Sequence, residues 1–92
     1  MFIGYLRVNL FIPDSRSLKD RRRVLEGVKQ KVRNNFNVSI AQEPSDTWKN
    51  CELYFACVNH TKNSASDLME QIQNFINSEG NIRIIEAEKG VL

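Results

Sequence analysis

Apolar side chains fall on alternate positions at the start of the chain. From Phe2 to Ile12 the even positions read Phe, Gly, Leu, Val, Leu and Ile, while Arg7 and Asn9 occupy odd ones. A period of two marks a half-buried strand. Leu6, Val8, Leu10 and Ile12 are therefore expected to face a core, with Ile3, Tyr5, Arg7, Asn9 and Phe11 on the other side. Pro13 lacks an amide hydrogen and ends the ladder. The period then lengthens. Leu18, Val24, Leu25, Val28 and Val32 suit one helical face, and Ser15 and Ser17 are N-cap candidates, so a helix is predicted from Leu18 to Arg33. Gly27 within it costs about 1 kcal/mol relative to Ala, which points to a close approach of helix to sheet.

The alternation returns at Phe36, Val38 and Ile40, separated by Asn37, Ser39 and Ala41. Pro44, Ser45, Asp46 and Thr47 form a turn cluster. Cys51 to Val58 is strand-like again, with Leu53, Phe55 and Cys57 on one face and Tyr54, Ala56 and Val58 on the other. Asn63, Ser64 and Ser66 are candidate caps for a second helix with Ala65, Leu68, Met69, Ile72, Phe75 and Ile76 on one side. Asp67 and Glu70 would then lie in its first turn, where negative charge suits the helix dipole. Gly80 is expected to end it, and Ile82 to Ala87 makes a last strand in which adjacent Ile84 and Ile85 leave the facing open.

Strand, helix, hairpin, helix, strand with short connections is the βαββαβ order of a ferredoxin-like fold. That is an α+β two-layer sandwich: a four-stranded antiparallel sheet, both helices on one face, and the first and third strands central. Ninety-two residues leave room for one core, so residues 1–92 are expected to form a single domain. A hydrophobic fraction of 41% and a charged fraction of 26% are ordinary for a folded chain, which argues against disorder.

The longest apolar run is broken by Arg7 and Asn9 and falls short of the roughly 20 residues of a membrane span. It also lacks the layout of a signal peptide, so a cytoplasmic location away from membranes is expected. Cys51 and Cys57 lack the Cys-x-x-Cys spacing of a metal or redox pair, and His60 is the sole histidine. Neither a metal nor another cofactor is expected, and both thiols read as reduced packing groups.

Charge is distributed unevenly. Residues 1–34 hold nine Lys or Arg against three carboxylates, and the remainder holds four against eight. Lys19, Arg21, Arg22 and Arg23 sit at the start of the first helix, where cations oppose the macrodipole. A phosphate would compensate them; a solvated face neutralised by Asp20, Glu26 or the acidic half is the plainer account. Helical phase puts Arg22 near the buried stripe, which favours a structural role for it. Lys19, Arg23, Lys29, Lys31 and Arg33 are the better candidates for contacting phosphate.

On the sheet face away from the helices, Tyr5 and Tyr54 occupy positions where RNA-recognition domains stack bases. The third strand, Glu52-Leu53-Tyr54-Phe55-Ala56-Cys57, lacks the Lys/Arg-Gly-Phe/Tyr opening of that signature. An apolar open face with Ile3, Tyr5, Phe11, Tyr54 and Val58 is better explained by a homodimer or partner interface, because a sheet face that apolar is costly in water. Trp48 could anchor a partner or simply pack over the sheet edge. Glu43, Asp46 and Glu52 lie along the hairpin with no spacing that marks an acid–base pair, and read as solvated.

The stretches Ser17-Leu18-Lys19-Asp20-Arg21-Arg22-Arg23-Val24-Leu25, Phe36-Asn37-Val38-Ser39 and Trp48-Lys49-Asn50-Cys51-Glu52-Leu53 closely resemble the YlxP-like family of small bacterial proteins of unassigned function. The resemblance spans nearly the whole chain. It implies a ferredoxin-like fold and a genomic setting beside ribosome-maturation and translation-initiation factors; it carries no catalytic residues. The strand order would also suit an acylphosphatase. That enzyme needs a glycine-rich phosphate cradle, and here the loop reads Pro13-Asp14-Ser15-Arg16-Ser17. With one histidine and no evident nucleophile–base pair, the chain reads as noncatalytic. The leading expectation is a module that binds RNA or a ribosome-assembly intermediate through the basic first helix, and the alternative is a homodimeric interaction module using the open sheet face.

Overall fold

The computed structural model describes residues 1–14, 16–43 and 50–92. Its elements are β1 (Phe2–Phe11), α1 (Leu18–Asn35), β2 (Ser39–Glu43), β3 (Asn50–Asn59), α2 (Lys62–Asn77) and β4 (Arg83–Val91). The strands form one antiparallel sheet in the order β2-β3-β1-β4. Each helix thus links two parallel strands with a third between them, the split arrangement of the ferredoxin-like fold.

The alternation in β1 is realised as expected: Leu6, Val8, Leu10 and Ile12 are buried with Leu53 and Phe55 of β3. Leu25, Val28 and Val32 from α1 and Ala65, Met69, Ile72 and Ile76 from α2 close the same core, so both helices cover one face of the sheet. Gly4 lets α2 come close to β1: a Cβ there would stand 2.9 Å from the Ala65 carbonyl oxygen.

Several expectations are corrected. The close approach is at Gly4, not Gly27, where an added Cβ would meet nothing within 4 Å. α1 runs two residues beyond Arg33, and Ser17 caps it, its Oγ accepting from the Asp20 N–H at 3.1 Å. Leu18 is exposed instead of joining the buried stripe. α2 starts earlier than its proposed caps. Thr61 is the N-cap, its Oγ1 accepting from the Ser64 N–H at 3.1 Å, and no acidic residue lies in the first turn. The helix ends at Asn77 with Ser78 as C-cap, and no glycine of the chain has a positive φ, so Gly80 is not a left-handed terminator.

The strands shift for identifiable reasons. Phe36 and Val38 pack against the core before β2 begins at Ser39, and the Phe36 ring meets Phe75 edge-on at 5.7 Å. β4 extends to Val91, past the expected Ala87. Its register against β1 slips between Asn9, opposite Glu86, and Leu10, opposite Ile84. Ile85 is therefore the extra residue of a bulge. That resolves the two adjacent isoleucines: Ile84 packs on the core, and Ile85 is exposed.

Candidate nucleic-acid interface

The inner stripe of α1 is Arg21, Leu25, Val28 and Val32, at successive spacings of four, three and four. Arg21, proposed above as a phosphate contact, is therefore buried, at 6% exposure, and its Nη1 donates to the Asn50 carbonyl at 3.0 Å. Its alkyl stem joins the core side while the guanidinium ties α1 to the start of β3. Arg22, expected to be the structural arginine, is exposed. The two exchange roles because Arg21, and not Arg22, continues the row of Leu25, Val28 and Val32.

The remaining cations of α1 divide into two sets. Lys29 is occupied by Glu26 at 2.6 Å and Gln42 at 2.8 Å, and Lys31 by Glu79 at 2.9 Å. The Lys29 hydrogen bond holds the Glu26 carboxyl below its ordinary range. Lys19, Arg22, Arg23 and Arg33 are exposed and make no salt bridge among the described residues. By helical phase these four spread over the outer half of α1, turned away from the sheet. Asp20 completes the first turn: its N–H donates to the capping Ser17 Oγ, and its Oδ2 accepts from the Arg16 N–H at 3.3 Å.

The opposite, uncovered sheet face is ordered in rows by the strand register. Val58, Ile3 and Leu92 make an apolar row at one end, with Ile3 and Leu92 exchanging both backbone hydrogen bonds. Next come Ser39, Ala56, Tyr5 and Gly90, then Ala41, Tyr54, Arg7 and Glu88. The fourth row is Glu43, Glu52, Asn9 and Glu86, and Phe11 lies beyond it between Asn50 and Arg83. Ile3, Tyr5, Phe11, Tyr54 and Val58 all occupy this face. Trp48 and Asp46 lie outside the described residues.

This face is less apolar than its strand periodicity suggests. Arg7 donates to Glu52 Oε1 at 3.2 Å and Glu86 Oε1 at 2.5 Å, and the Tyr54 hydroxyl donates to Glu52 Oε2 at 2.7 Å. Glu52 is thus held by two partners and is not the freely solvated carboxylate expected. The Glu86 hydrogen bond and the flanking carboxylates strengthen the hold of Arg7 on its proton, and the Glu52 hydrogen bond raises the Tyr54 pKa. Tyr5 leans across β4: a Cβ at Gly90 would lie 2.6 Å from its hydroxyl. The two tyrosines turn apart and leave a cavity of about 260 Å³ lined by Tyr5, Arg7, Ser39, Ala41, Tyr54 and Ala56.

Both thiols are buried on the core side of β3, where burial pushes the Cys51 thiol up, and His60 is exposed just after that strand. Among the described residues no group of three or more His, Cys, Asp or Glu is placed to hold a metal ion. No helix among them is long and apolar enough to cross a membrane.

Comparison with known proteins places this geometry in a family. A solved structure described as structural-genomics protein YJCS superposes with a TM-score of 0.60 at 10% identity, covering 96% of both chains, which is a likeness of fold. A de novo designed protein with ferredoxin fold gives a TM-score of 0.45 at 16% identity, covering all of this chain and 84% of the other. In sequence, the uncharacterized protein YlxP of Bacillus subtilis (strain 168) is 32% identical over 77 residues, 83% of this chain and 84% of that protein. A family model described as a protein of unknown function, DUF503, matches residues 3–89, and the chain belongs to that YlxP-like family.

Proposed function

We propose that this protein is a noncatalytic RNA-binding module that takes phosphates on the outer face of α1 through Lys19, Arg22, Arg23 and Arg33. The supporting observation is the division of the α1 cations: Lys29 and Lys31 are engaged within the chain, and these four have no salt-bridge partner among the described residues. Four exposed cations on one convex helix face attract a polyanion whose charges are closely spaced. Ribosomal RNA is the RNA of this reading, in keeping with the genomic setting that the family resemblance implies. A noncatalytic role also accords with the Cys51 thiol, whose burial disfavours the reactive thiolate.

The test is fluorescence anisotropy with a labelled 24-nucleotide ribosomal-RNA hairpin. Lys19→Glu combined with Arg23→Glu is expected to weaken binding by about tenfold or more. The logarithm of the wild-type association constant should fall against that of salt concentration with a slope of about −3, as expected for some four phosphate contacts. Lys31→Glu should change affinity much less, because Lys31 is already paired with Glu79. Equal affinity in the wild type and the Lys19→Glu/Arg23→Glu variant would refute this reading.

A further inference from the structure

We infer that the uncovered sheet face docks an extended, cationic segment of a partner protein, with an apolar side chain seated in the cavity over Ala56 and a Lys or Arg two residues away against the carboxylates beside it. The inference stands independently of RNA binding by α1, because it concerns the opposite surface.

Its basis is an apolar cavity joined to an uncompensated negative charge. The cavity, about 260 Å³, has Ala41 and Ala56 as its small residues between the diverging Tyr5 and Tyr54 rings. It is a depression on an open sheet face, floored by the short side chains of Ala41 and Ala56, which suits an apolar side chain laid against the sheet. Around it stand Glu43, Glu52, Glu86 and Glu88, and among the described residues of these rows Arg7 is the cation, with Arg83 one row further on beside Phe11, so the face stays net negative. Arg7 bonds Glu52 and Glu86, while Glu43 and Glu88 have no salt bridge among the described residues. Charge complementarity therefore selects the occupant: this face attracts a cationic chain and repels a phosphate backbone.

The spacing specifies the segment further. Ala41 and Glu43 belong to successive rows of β2, two residues apart. Two residues of strand span about 6.6 Å, and side chains i and i+2 of an extended peptide are separated by the same distance. A chain running parallel to the strands can therefore put an apolar side chain over Ala41 and Ala56 and a cationic one over the Glu43–Glu52 row.

The experiment titrates the full chain into a fluorescein-labelled nonapeptide, Leu-Ser-Lys-Ser-Leu-Ser-Lys-Ser-Leu, whose leucines and lysines share one face when it is extended, and separately into the same peptide with glutamate for lysine. The lysine peptide should bind and the glutamate peptide should not. Ala56→Phe, which fills the cavity, and Glu43→Lys with Glu88→Lys, which reverses its charge, should each weaken lysine-peptide binding by about tenfold or more. Ala41→Phe repeats the cavity test should Ala56→Phe fail to fold. Binding of both peptides alike, or lysine-peptide affinity unchanged by the filled and reversed variants, overturns the inference. So does a wild-type dimer that Ala56→Phe converts to monomer in sedimentation equilibrium, which would make a second copy the occupant. Loss of RNA-hairpin affinity in Ala56→Phe would make RNA the occupant and overturn it equally.

Discussion

On the exposed side of α1, a Cβ added at Gly27 would meet no atom within 4 Å. Nothing therefore offsets the backbone entropy that glycine loses in a helix. Gly27→Ala is expected to stabilise the protein by up to about 1 kcal/mol, raising the melting temperature by about 4–8 °C. Gly4 sits in the contrary situation, since a Cβ there would lie 2.9 Å from the Ala65 carbonyl, 3.0 Å from Cys57 Sγ and 3.2 Å from Met69 Cγ. The carbonyl belongs to the backbone of α2 and cannot turn aside as a side chain could. Gly4→Ala should thus cost about 1–3 kcal/mol by forcing helix from sheet. Thermal denaturation followed by circular dichroism checks both. A lowered melting temperature for Gly27→Ala, or an unchanged one for Gly4→Ala, would contradict the packing described.

At the scale of the element, the start of α2 rests on Thr61, which caps through the Ser64 N–H. Thr61→Ala is expected to cost about 1 kcal/mol. Ser66→Ala, within the helix and exposed, should stay within about 0.5 kcal/mol. Urea denaturation distinguishes them, and a larger loss at Ser66 would mean that the helix begins later. This cap was illegible in the sequence for a physical reason. Lys62, Asn63 and Ser64 contribute no apolar residue to the first turn, so the hydrophobic period first appears at Ala65, and nearby polar residues compete for the cap. The alternation in β1 and β3 was legible because one face of each is buried along its length. In β2 the apolar signal came early, because Phe36 and Val38 bury themselves before strand pairing starts. Arg21 escapes the apolar pattern because a buried arginine does not register as hydrophobic, although it continues the spacing of Leu25, Val28 and Val32. The charge on the open face was hidden more deeply. Its rows depend on cross-strand register, and Glu88 lay beyond the expected end of β4.

For the molecule as a whole, the two layers carry opposite charge outward, and their internal ion pairs make stability depend on pH from both sides. The folded-state pKa of Glu26 is lowered, chiefly by its hydrogen bond from Lys29. Its contribution is present above its unfolded pKa of about 4.3 and is lost as pH falls through the lower folded value. Tyr54 behaves in the opposite sense, since the hydrogen bond to Glu52 raises its pKa. A group whose proton is held more tightly in the folded state stabilises that state below its unfolded pKa, here about 10, and ceases to do so as pH rises through the folded value. Both groups leave a stability plateau between these limits. Lysine deprotonation overlaps the alkaline limb, so the comparison must be between variants. Urea midpoints measured from pH 3 to 11 should show a shallower alkaline decline in Tyr54→Phe than in the wild type, and a shallower acid decline in Glu26→Gln. Parallel alkaline limbs for Tyr54→Phe and the wild type would show that the Tyr54–Glu52 hydrogen bond does not couple the open face to folding. A flattened limb would show that the Tyr54–Glu52 hydrogen bond, one end of the chain Tyr54–Glu52–Arg7–Glu86 that runs across β3, β1 and β4, couples the face that no helix covers to folding.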